Sequence, residues 1–198
     1  SEHGAITHSK PPLELLFSLP GRDIRLIGVH AKSKAPHGAT DAAHAIKIAR
    51  ENRQKQLVQC RWIRGRVDSL LAAGRDVIVL GDFNDGPGLD DYEAEFGQSG
   101  VEVVLGTGDA ALTDPHAKLA LSRRLGIMPT TARFWLAPEK RYFEALLDFI
   151  MISKGLTGFN ARWNIWHPFN DPACAPLRDA LLAASDHFPV TLDLDLPN

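Results

Sequence analysis

Apolar residues recur along this chain with two different periods. Residues 13–17 (LELLF) and 24–30 (IRLIGVH) are short, strand-like runs. SLPGRD lies between them and supplies Pro and Gly, so the pattern predicts a hairpin. Residues 31–40 read as loop. Over 41–73 the period changes. Ala42, Ala45, Ile46, Ala49, Leu57, Trp62, Ile63, Val67, Leu70 and Leu71 fall at spacings near three and four among charged and amide residues. This predicts one long helix, with Asp41 as N-cap and Gly74 just past its C-terminus. A strand is expected over 76–81. Residues 85–133 are rich in Gly, Asp and Pro, with short ordered pieces at VEVVL and AKLALSRRL. A buried strand is expected over 145–153 (ALLDFIMIS), a variable segment over 154–184, and a last strand over 185–196. In that last strand Val190, Leu192, Leu194 and Leu196 share one face. Helix and strands are mixed rather than strictly alternating, which makes α+β the expected class. Neither a repeat nor a linker divides the chain, so residues 1–198 read as one domain.

Composition narrows the options without naming one. The 198 residues suffice for one domain with a real core. The formal net charge is −2, so any nucleic-acid binding must rest on a local patch. Cys60 and Cys174 are the two cysteines; they cannot form a disulfide framework, and free thiols are expected in preference to a single bridge. No apolar run is long enough to span a bilayer as a helix.

The informative residues are polar groups set where a core would not want them. The run VIVLGDFNDG ends a strand with Asp82 and Asn84, two positions apart and so on one face. His30 ends an earlier strand, Asp148 interrupts LLDFIMI, and Asp186 and His187 open the last strand. A carboxylate inside an apolar strand costs several kcal/mol unless it is paired. Asp148 therefore either bonds a neighbouring backbone or Arg, or orients a histidine, with His187 and His30 as candidates. GDFNDG by itself is also ordinary turn chemistry. A Ser185–Asp186–His187 relay is excluded, because adjacent residues on an extended chain face opposite ways.

Taken together, LIGVHAKSK (26–34), VIVLGDFND (77–85), LLDFIMIS (146–153) and SDHFPV (185–190) resemble the endonuclease/exonuclease/phosphatase superfamily, the deoxyribonuclease I-like metallohydrolases. The stretches occur in that family's order, and the resemblance runs over nearly the whole chain. It implies a four-layer α/β/β/α sandwich. Members also have an N-terminal half carrying an Asn and a metal-binding Glu. No match to these precedes residue 9, so the resemblance places this sequence in the C-terminal portion of such a domain. The missing part would be supplied by the rest of the polypeptide.

The resemblance implies Mg²⁺- or Mn²⁺-dependent phosphoester hydrolysis, with Asp82 orienting or deprotonating the attacking water. Asn84 would hold Asp82 and a phosphate oxygen, and His187, steadied by Asp148, would contact the scissile phosphate. His30 would be a phosphate contact or general acid. Asp186, with Asp82 and Asn84, would serve the metal. Lys32 and Lys34 would touch flanking phosphates or simply be solvated. The family spans nucleases, inositol and lipid phosphatases, and sphingomyelinases. DNA is the first expectation for substrate, a small or lipid phosphoester the second, and a catalytically silent binding module the alternative from another class. Trp135, Trp163 and Trp166 would stack on bases, touch lipid or pack under loops, and RRL (123–125) and EKRY (139–142) supply modest positive charge.

Overall fold

A computed structural model describes residues 10–87, 95–122, 128–137 and 139–196. β1 (Leu13–Leu19) and β2 (Arg22–His30) form the expected antiparallel hairpin, turning at Gly21 with φ 72°. The long helix follows as α1 (Ala42–Ala72). The Asp41 carboxylate accepts the His44 N–H at 2.8 Å, and Gly74 takes the left-handed conformation that ends the helix. α1 leads into β3 (Asp76–Asp82), which lies parallel to β2, as a helical crossover requires. Two short helices come next, α2 (Gly100–Leu105) with a Ser99/Glu102 capping box and α3 (Pro115–Leu121) capped by Asp114. The RRL tripeptide lies outside the described residues.

The region before Asp148 holds a second hairpin that the apolar pattern does not reveal, β4 (Ala132–Leu136) with β5 (Arg141–Ala145). β6 (Asp148–Ile152) pairs antiparallel with β3 and completes a sheet of order β1-β2-β3-β6. Asp148 is thus the first residue of its strand rather than its middle, because Ala145 already belongs to β5. The segment expected to be variable contains β7 (Arg162–Ile165) and α4 (Arg178–Ala184). The last strand is shorter than expected. β8 spans Val190–Asp193 and pairs with β7, not with the main sheet. Trp163 and Trp166 are tied down there, their indole N–H groups donating to Ile150 O at 2.7 Å and Thr191 Oγ1 at 3.1 Å.

Strand parity divides the core in two. Odd-numbered Ile27, Val29, Val77, Val79, Phe149 and Met151 face α1 and α2, meeting Cys60, Ile63, Val67, Val101 and Val104. Even-numbered Ile24, Ile78, Ile150 and Ile152 face the β7–β8 pair through Trp163, Val190 and Leu192. The architecture is mixed α+β, with helices, a four-stranded sheet and a two-stranded ribbon in succession. Cys60 and Cys174 are both buried free thiols, and burial pushes Cys60 up to about 12. No helix among the described residues is long and apolar enough to cross a membrane.

Candidate active site

The same parity assembles the site. His30, Asp82 and Asp148 are all even-numbered ends of neighbouring strands. Register sets them in one row, with His30 opposite Asp82 and Asp82 opposite Asp148. Three polar side chains from positions far apart in sequence therefore share one face at one edge of the sheet. Gly81 lets β3 reach this point. Its φ is 134°, and a Cβ there would lie 2.0 Å from the Val29 carbonyl oxygen.

Asp82 is held by the residue two places on. Its Oδ1 accepts the Asn84 backbone N–H at 2.7 Å, and its Oδ2 accepts the Asn84 amide at 2.9 Å. Asn84 adopts φ 48°, a left-handed conformation that Asn tolerates, and its amide also donates to Ala31 O at 3.1 Å. His30 Nε2 lies 3.5 Å from Asp82 Oδ2. Burial pushes the Asp82 carboxyl above the ordinary carboxylate range, and the neighbouring Asp148 charge adds to this. The Asn84 N–H opposes it.

Asp148 is the orienting carboxylate. His187 Nδ1 and Asp148 Oδ2 are 2.8 Å apart, and this bond raises the imidazole above its ordinary value. Nδ1 is thereby the protonated nitrogen facing the carboxylate, which turns Nε2 away from it. The Asp148 contact that sequence reasoning missed is Thr131. Fully buried, it donates its hydroxyl to Asp148 Oδ2 at 2.7 Å and accepts the Leu147 and Asp148 N–H groups at 3.0 Å each. His187 and Thr131 share Oδ2.

Asp82, Asp148 and His187 place ligand atoms within 4.8 Å of one another, a group able to hold a metal ion. Two carboxylates close together at a partly buried edge suit a hard cation, which would offset both the burial that keeps Asp82 high and the smaller repulsion from Asp148. They supply one side of a coordination shell. Asp186 is exposed and lies outside this group, its backbone oxygen accepting the Arg133 N–H at 2.8 Å. Its charge still contributes to raising His187.

Behind the row, α1 clamps the loop that carries Asn84. The two amide N–H groups of Gln56 are shared among Lys32 O, Phe83 O and Asn84 O, at 2.9–3.1 Å. Fully buried Arg53 donates to Asp85 Oδ2 and to Gln56 Oε1 at 2.6 Å. Lys34 reaches Asp85 Oδ1 at 2.7 Å, so its ammonium is engaged in the scaffold behind the site. The only sequence signal for this clamp is the polar character of positions 52, 53, 56 and 59 on a buried helix face.

The chain matches no protein-family model and no curated protein. Among solved structures it is similar to beta toxin 275-280 from Staphylococcus aureus. That likeness has 16% identity and a TM-score of 0.37, over 71% of this chain and 42% of the other. The chain therefore spans less than half the length of that protein. A likeness of this degree assigns no activity.

Proposed function

We propose that this chain carries catalytic residues of a divalent-metal-dependent phosphodiesterase of the deoxyribonuclease I-like type, acting on DNA. The observation that carries the reading is the single row His30, Asp82, Asp148 with His187 bonded to Asp148. Hydrolysis needs a positioned water, a stabilised phosphate charge and a proton for the leaving oxygen. Asp82, pinned by Asn84, orients the water and accepts its proton. His187 presents Nε2 to a phosphate oxygen while Asp148 and Thr131 fix its ring. His30, beside Asp82, faces the phosphate or the leaving oxygen. Asp82 and Asp148 would hold a Mg²⁺ or Mn²⁺ ion, with Asn84 and Asp186 as further candidates. When bound, that ion neutralises phosphate charge.

One observation favours a second reading, a lipid or other apolar phosphoester. A cavity of about 230 Å³ is lined by Asp148 together with apolar Leu80, Ile150, Phe188 and Val190. Hydrolysis of plasmid DNA, bis-p-nitrophenyl phosphate and inositol or lipid phosphates, with and without Mg²⁺, separates the readings. Asp82→Ala and His187→Ala are expected to lower turnover at least a hundredfold with the fold intact. Wild-type turnover in either variant refutes the assignment, and metal-dependent binding without turnover would indicate a silent module.

A further inference from the structure

α1 sets a buried polar stripe beneath the two loops that leave the catalytic row. Asn52, Arg53, Gln56 and Gln59 fall at helical spacing, and all four are buried, Arg53 and Gln56 completely. Buried amides and a guanidinium cost free energy unless they are bonded, and apolar side chains would pack there without that cost. Much of what they bond is backbone just beyond the strand ends. Asn52 Nδ2 donates to Ala35 O at 3.1 Å, and Gln59 Oε1 accepts the Lys32 N–H at 2.8 Å. These two contacts hold only the loop after His30.

Gln56 holds both loops. Arg53 donates to its Oε1, which fixes the amide with the NH₂ end toward the loops. That end reaches Lys32 O at 3.0 Å on the loop after His30. It also reaches Phe83 O at 3.1 Å and Asn84 O at 2.9 Å on the turn after β3. The contact with Asn84 bears on the site because φ 48° is costly for a non-glycine residue and persists only where the surroundings hold it. In that conformation the Asn84 N–H and side-chain amide meet both oxygens of Asp82, at 2.7 and 2.9 Å. The same amide donates to Ala31 O at 3.1 Å, one residue before the carbonyl that Gln56 also grips.

We infer that Gln56 is a positioning residue of the site, which acts through Asn84 to fix the Asp82 carboxylate and to keep it in step with His30. Its role in turnover rests on the phosphodiesterase reading; the tie itself is tested without turnover. Amide exchange is followed by NMR in chelator, in the wild type and in Gln56→Met, which keeps the side-chain length. The Asn84 N–H should lose about tenfold more protection than the Val79 and Met151 N–H groups of the sheet. A merely structural role would produce no such excess, and Val67→Ala, a core truncation three turns along α1, should produce none. In the wild type the Gln56 NH₂ and the Asn84 N–H should report the same opening equilibrium, a comparison that needs no variant. With Mg²⁺ and bis-p-nitrophenyl phosphate, Gln56→Met should lower kcat about tenfold with KM changed less than about twofold, while Gln59→Met, which frees only Lys32, keeps both. No excess loss at Asn84, or a Gln56 NH₂ that opens independently of Asn84, overturns the tie. Unchanged kcat in a Gln56→Met protein that has lost protection at Asn84, or an equal fall in Gln59→Met, overturns the positioning role. A wild type that hydrolyses nothing sinks the phosphodiesterase reading instead, and the exchange comparison still decides whether Gln56 holds Asn84.

Discussion

Thr131→Val removes one oxygen at nearly constant volume, and that oxygen has three partners. The Leu147 and Asp148 N–H groups lose their acceptor, and Asp148 Oδ2 loses one of its two donors. A buried donor left unmade costs about 1–3 kcal/mol, and a bond to a charged acceptor is worth about 1.5–3 kcal/mol. Their simple sum overstates the effect, since the Asp148 side chain is 18% exposed and water can reach it. About 3 kcal/mol is the expected net loss. For a chain of this size that lowers the melting temperature by about 6–12 °C. Thr131→Ser keeps the oxygen and loses only a methyl, about 1 kcal/mol. Urea denaturation of both variants in chelator measures the difference. Turnover should follow it, falling in the valine variant and recovering in the serine one. If valine and serine are equally stable, Thr131 is not the fastener of Asp148, and the reasoning fails.

Gly81→Ala forces a Cβ to within 2.0 Å of a backbone oxygen at φ 134°, so it should cost at least about 3 kcal/mol, read from the same denaturation curves. Arg53→Met leaves Asp85 short of a buried partner and should lose about 3–5 kcal/mol, with Arg53→Lys only partly restoring it. Because burial raises Asp82, its ionised form opposes folding at neutral pH. The melting temperature in chelator should therefore rise as pH falls from neutral through the raised Asp82 value, and Asp82→Asn should abolish hydrolysis. The His187–Asp148 bond acts with the opposite charge. The raised imidazole contributes stability in full below about pH 6.5, and that contribution is lost as pH rises through the folded value. Stability against pH in chelator should show this decline in the wild type and a flatter curve in Asp148→Asn.

Period and punctuation determined a good deal of this protein. Spacing near 3.6 with Asp41 and Gly74 at its ends specifies α1, because capping and burial of one helix face are local matters. Short apolar runs specify β2, β3 and β6, with Asp82 at the end of β3. Neither rule reaches across the chain. β7 and β8 are four residues each and gain their stability from pairing with one another, so their limits depend on contacts that no local pattern encodes. The β4–β5 hairpin escaped for a similar reason. It presents polar and aromatic residues on an exposed face and buries only Ala132, Ala145 and part of Phe134 and Phe143. That Asp148 belongs with His187, rather than with a backbone group or an Arg, was decided by register. β6 pairs with β3 so that Asp148 stands opposite Asp82, and the segment after α4 brings His187 to its free side. Thr131 and the Gln56–Arg53 clamp are tertiary in the same sense. A hydroxyl or an amide acquires its meaning from the N–H and C=O groups that folding places around it.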